Sequence, residues 1–167
     1  FRPWVVAYGV RRGNARGEKD RDPETGPIGE LHTLFDRPAS LHNASVWLSK
    51  LEADKWRERS KAPNDAPPGP RELIWNAVIA ALKELLKVQE VEIEVGGIVM
   101  VKHEAFGRVP LDALSDGYLT TAGWVIDMIA RWIERQRELD ERIDEHWMKQ
   151  MKGLVLLDEI DLHLHPV

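Results

Sequence analysis

Apolar positions along the chain follow two rhythms, and each change of rhythm marks the edge of an element. Trp4-Val5-Val6-Ala7-Tyr8 is one unbroken apolar run of strand length, closed by Gly9. The next stretch, "VRRGNARGEKDRDPETGPIGE", has no hydrophobic period and reads as a loop. Its first half is basic, with Arg11, Arg12, Arg16, Lys19 and Arg21. Beyond it, "LHTLFDRPASLHNASVWLSKLEADKW" predicts a short turn and then a helix capped near Asn43 or Ser45. Val46, Trp47, Leu51 and Trp56 are the expected apolar side of that helix.

A Pro-rich linker, "APNDAPPGP" at 62–70, ends in a proline suited to a first helical turn. Leu73, Ile74, Ala77, Val78, Ala81, Leu82, Leu85 and Leu86 then recur at i, i+3 or i+4, which predicts an amphipathic helix. "VEIEV" (91–95) and "IVMVK" (98–102) alternate with period two around Gly96-Gly97, a pattern that predicts a hairpin with a two-residue turn. A less regular stretch leads to "PLDALSDGYLT". A long helix is expected from about Asp116 into the 140s, apolar at Leu119, Ala122, Val125, Ile126, Ile129, Trp132 and Ile133. Its far part, "ERQRELDERIDEHWMKQMK", is charged and is expected to contain a break. The last strand falls at 154–158. Strand, loop, two helices, hairpin, helix and strand together predict an α/β fold, with a helical lobe inserted between two strands of one sheet.

Composition narrows this picture more than it extends it. The chain is 43% hydrophobic and 31% charged with a net charge of −5, so it is no polycation for nucleic acid. No apolar run approaches the roughly 20 residues that span a bilayer, and the first residues lack a signal-peptide layout. A cytoplasmic protein without membrane contact is expected. With no cysteine, disulfides and thiolate metal sites are excluded. The apolar start at Phe1 and the stop just past a strand suggest an excerpt truncated at both ends.

Two short stretches carry candidate chemistry. In "LSDGY" (114–118), Ser115, Asp116 and Gly117 sit where the long helix begins. A first helical turn offers unpaired N–H groups and partial positive charge, so it suits a phosphate, although Ser115 or Asp116 could equally serve only as an N-cap. In "GLVLLDEIDLHLHPV" (153–167), four apolar residues run into Asp158 and Glu159. A buried strand that ends in two acids matches the Mg²⁺-binding and hydrolytic strand of a P-loop ATPase. Open α/β sheets also bind their ligands at this carboxyl end.

"LSDGY", a helix of about 30 residues and then "LVLLDEIDLHLHP" together resemble the AAA-family ATPase heads of the ABC/SMC superfamily. The ATPases it resembles are related to the overcoming-lysogenization-defect proteins, many of which sit in bacterial anti-phage systems. "AYGVRR" resembles that family's segment after the Walker A half, and "LHTLFDRPASLHNASVWLSKL" resembles its lobe sequence. The resemblance implies a partial P-loop ABC-type head. Residues 1–10 would be a core strand, 11–113 the loop and inserted lobe, 114–150 the signature motif and helix, and 151–167 the Walker B strand and D-loop.

It further implies two heads dimerising around ATP and Mg²⁺. Ser115, Asp116 and Gly117 would contact the partner's nucleotide, Asp158 would hold Mg²⁺ through water, and Glu159 would be the catalytic base. Asp161 and His163 would lie in the D-loop at the dimer interface, and Tyr8, Gly9 and Arg12 would have a looser part in phosphate contact or positioning. A nuclease or toxin partner and DNA are all compatible with such a head. One departure matters: no G-x-x-x-x-G-K-[ST] occurs, and "GNARGEK" has the wrong spacing.

Two other readings stand beside this one. Asp161, His163 and His165 alternate on an extended strand and form a legitimate ligand set for a divalent transition metal, as in a metal-dependent hydrolase. A degenerate head that only senses nucleotide, or serves as a scaffold, is the second. His32, His42, His103 and His146 are scattered and expected at the surface or in packing. The seven tryptophans are expected in core and lobe packing rather than stacked on bases.

Overall fold

The computed structural model describes residues 4–8, 41–138 and 146–158. Its elements are β1 (Trp4–Tyr8), α1 (Ala44–Arg59), α2 (Pro70–Leu86), β2 (Glu90–Ile93), β3 (Val99–His103), β4 (Gly107–Pro110), α3 (Asp116–Glu138), α4 (Trp147–Gln150) and β5 (Gly153–Leu157). A 3-10 turn, Leu111–Ala113, precedes α3. One strand pair is parallel and one sheet is antiparallel, so the architecture is broadly α/β. The backbone forms two compact units: Phe1–Ala44 with Ser115–Arg135 and Met151–Val167, and Ser45–Leu114 with Gln136–Gln150. The basic loop lies outside the described residues.

In the first unit β1 and β5 pair in parallel, in register from Trp4↔Gly153 to Tyr8↔Leu157. The ladder continues one residue further, because the Asp158 N–H donates to the Tyr8 carbonyl at 2.9 Å. Parallel neighbours need a long crossover, and the chain between these two strands supplies it. Trp4, Val6, Ala7 and Tyr8 are all buried, as an interior strand requires. The expectation of a buried last strand holds less well: Leu154 and Leu156 are exposed. They share one face because side chains alternate along a strand.

Gly153 has a specific reason to be glycine. A Cβ there would lie 2.6 Å from both the Trp4 carbonyl oxygen and the Trp4 ring. Gly→Ala in a strand is ordinarily favourable by a few tenths of a kcal/mol to about 1 kcal/mol. Here Gly153→Ala is expected to destabilise instead, by about 1–3 kcal/mol through overpacking. The sign of the shift in a urea unfolding midpoint decides between the two.

The second unit is built on α2 and a three-stranded sheet. Ile74, Trp75, Val78, Leu82 and Leu86 form the buried stripe of α2, much as the spacing predicts, with Leu85 at its exposed edge. Pro70 occupies the first turn, and the carboxylate of Glu58, from the end of α1, accepts the Arg71 N–H at 2.9 Å. That anion serves as a cap in place of an N-cap side chain, and it favours the positive end of the helix. In α1 the buried side is Ala44, Leu48 and Leu51, while Val46 and Trp56 are exposed. The apolar side expected from Val46 and Trp56 is therefore rotated: 44, 48 and 51 hold the i, i+4, i+7 line that faces inward.

The hairpin forms, but not with the expected turn. Val91 pairs with Val101 and Ile93 with Val99, so the loop is longer than two residues. Gly96 and Gly97 both take positive φ, 98° and 81°, inside it. The pairing follows from side-chain period: a two-residue turn would set Val91 opposite Lys102 and Ile93 opposite Met100. The observed register puts the valines and isoleucine together and leaves Glu90 opposite Lys102. A third strand, β4, pairs antiparallel with β3 in the stretch expected to be irregular. Among the tryptophans, Trp4, Trp75, Trp132 and Trp147 are buried, in line with packing roles.

Candidate functional site

Ser115, Asp116 and Gly117 fall on the same compact unit as β5 and Asp158. Ser115 is exposed and stands immediately before α3, where its carbonyl accepts the Leu119 N–H at 3.0 Å. That bond is the one an N-cap residue makes with its own carbonyl. Asp116 is the first residue of α3, and Gly117 lies in its first turn, with its carbonyl accepting the Thr121 hydroxyl at 2.8 Å. The helix then runs 23 residues.

At the other motif, the apolar run ends as β5 ends, and Asp158 follows directly with an exposed side chain. Its backbone is held on the Tyr8 carbonyl, so the carboxyl ends of the two parallel strands lie side by side. Ligand sites of α/β proteins form at this end. Glu159, Asp161, His163 and His165 lie outside the described residues, as do Gly9 and Arg12. Among the described residues no group of three or more acids and histidines could hold a metal ion. No helix among them is long and apolar enough to cross a membrane.

Tyr8 is buried. It is 1% exposed, and its hydroxyl donates to Asp127 Oδ2 at 2.9 Å. Its ring lies 6.1 Å from that of Trp124.

Asp127 is the centre of a polar cluster that sequence reasoning missed. The carboxylate is 0% exposed. Besides Tyr8 it accepts the His42 backbone N–H at 2.9 Å and Arg131 Nε–H at 2.7 Å, and the His42 ring Nδ1 lies 2.7 Å from Oδ1. His42 Nε2 reaches Glu134 at 3.4 Å. Burial pushes the Asp127 carboxyl up, but the His42 hydrogen bond and the Arg131 charge outweigh it and hold the group below the usual carboxylate range. For His42, burial acts downward, and the hydrogen bonds to Asp127 and Glu134 overcome it to lift the imidazole to about 9.

His42 is thus an imidazolium with a donor for each carboxylate at neutral pH. Its folded-state value lies above the ordinary 6.5, so its contribution is complete below about pH 6.5 and disappears as pH rises through about 9. The contribution is at most about 3 kcal/mol, of which about 2 kcal/mol should be lost between pH 7 and pH 9.5. Urea unfolding at both pH values, in the wild type and in His42→Gln, isolates it. The pH dependence should shrink in the variant by that amount; equal slopes would contradict the assignment.

Compared with known proteins, the chain matches no family model and no curated protein.

Proposed function

We propose that this sequence forms part of an ATP-hydrolysing head of the ABC/SMC type, in which two copies close around ATP. One observation carries the reading: "SDGY" opens a long helix and "LVLLD" ends a parallel strand, both in one unit. These are the elements on which a signature motif and a Walker B strand operate. The donor set fits Mg²⁺, a hard cation that takes carboxylate and water oxygens, because Asp158 is exposed at the strand's carboxyl end. When bound, Mg²⁺ neutralises charge on the β- and γ-phosphate oxygens.

The remaining chemistry is divided among residues of the chain. Asp158 holds the ion through water, and Glu159 orients the attacking water and accepts its proton. Ser115 and the first-turn N–H groups at Gly117 face the partner's γ-phosphate. The products are ADP and inorganic phosphate. A β-phosphate cradle of the G-x-x-x-x-G-K-[ST] kind is not among these residues. A second reading is a head that uses nucleotide only as glue or sensor without turnover; a full-length protein that lacks this loop would point to it.

ATP hydrolysis by the full-length protein, with Mg²⁺ and with excess EDTA, tests the proposal. Turnover that EDTA removes is expected. ATP-dependent dimers without turnover would favour the sensing head. Neither turnover nor dimers, with stoichiometric zinc or manganese in the purified protein, would favour a metal-dependent hydrolase using Asp161, His163 and His165.

A further inference from the structure

We infer that the buried Tyr8–Asp127–His42 cluster is a positioning device, which fixes helix α3, and with it Ser115 and Gly117, against the strand end that carries Asp158. The inference rests on the ATPase reading for its consequence, but its geometry is independent of nucleotide. Tyr8 is the joint. Its carbonyl accepts the Asp158 N–H at 2.9 Å, and its hydroxyl donates to Asp127 in the middle of α3 at 2.9 Å. One residue therefore holds the backbone of the candidate Mg²⁺ acid and the side of the signature helix at once. His42 adds a second anchor, with both its backbone N–H and its ring on Asp127 Oδ1.

The chemistry of the cluster favours geometry over stability as its purpose. A buried ion pair commonly contributes no more than well-packed apolar residues of the same volume would. What it adds is direction, because each hydrogen bond fixes a distance and an angle that apolar contact leaves free. Donors reach Asp127 from three places: the neutral Tyr8 hydroxyl on β1, and the charged groups of His42 in the segment before α1 and Arg131 one turn along α3. Glu134 closes the far side of the His42 ring.

Leverage makes the pose of α3 consequential. Asp127 is 12 residues from Ser115, which is about 18 Å of helix, so a tilt of about 5° moves the helix start by about 1.5 Å. A misplacement of about 1 Å at a reacting centre can cost on the order of 10²-fold in rate. Asp127 touches no substrate in this account; it acts through α3.

The test uses the full-length protein with Asp127→Asn and the milder Tyr8→Phe. Both variants should lower kcat for ATP, by about tenfold or more in Asp127→Asn, with KM within about twofold, because the nucleotide's own cradle is untouched. Amide exchange supplies the readout that simple loss of stability would not move. The Leu119 amide and its neighbours in the first turns of α3 should accelerate about tenfold more than the amides of the β1–β5 ladder. Equal acceleration in both places, or kcat unchanged per folded molecule, would overturn the inference. A wild type without ATP turnover would sink the ATPase reading, and the exchange comparison alone would then decide the positioning claim.

Discussion

Replacing Asp127 with alanine is expected to cost about 3–5 kcal/mol of folding stability. The reason is not the loss of favourable bonds as such. Removing the carboxylate takes away the Asp127 bond of Arg131, which is 7% exposed, of the Tyr8 hydroxyl and of the His42 backbone N–H. A buried donor left unmade costs about 1–3 kcal/mol, and a buried charge more. His42 is expected to lose its proton at neutral pH once the carboxylate is gone, which limits the damage on that side. Denaturant unfolding followed through Trp124 and Trp132, which lie on α3 on either side of Asp127, reads the change. A loss below about 1 kcal/mol would mean that water or rearrangement satisfies the cluster, and the positioning argument would weaken with it.

The second large effect concerns turnover. Glu159→Gln should lower kcat by about 10²–10⁴-fold while ATP-dependent dimers persist. Glutamine keeps the size of the side chain and can still hydrogen-bond the attacking water, but it cannot accept the proton that the water gives up. In the proposed head, binding of nucleotide and Mg²⁺ would rely on Asp158 and on the helix start, which the substitution leaves intact. The variant should therefore accumulate in the closed, ATP-bound dimer. Full turnover in Glu159→Gln would remove this residue from the role of base.

The parts of the fold legible in the sequence were those governed by local rules. The stripe of α2 and its proline start, the strand at Trp4–Tyr8 and the onset of α3 at Asp116 all follow from spacing within one element. The hairpin was visible too, but its register was not, since the glycine pair suggested a short turn while the apolar faces chose another pairing. Strand β4 had a usable cue in "HEAFGRV", a short loop with glycine ahead of Val109. The Asp127 cluster is a different kind of miss. Its partners lie 85 and 119 positions away in the chain, and no periodicity reports such a contact. The one local cue was an acid inside the apolar stretch "GWVIDMIARW", with Arg131 one helical turn on. An isolated acid on an otherwise apolar stretch calls for a partner, because burial without one is costly.

The central claim is that Ser115 of one copy completes the site that holds Asp158 and Glu159 of another, and mixing two inactive variants tests it most directly. Ser115→Arg should block the signature helix from its partner's phosphate, and Glu159→Gln should remove the base, so each protein alone should be nearly inactive. In a two-fold dimer of one with the other, one of the two sites regains both an intact signature and an intact base. An equimolar mixture that exchanges freely should therefore recover about a quarter of wild-type ATP hydrolysis. A mixture that stays as inactive as its components, while the wild type turns over ATP and mixed dimers form, would show that the two motifs do not meet across a dimer and would contradict the account.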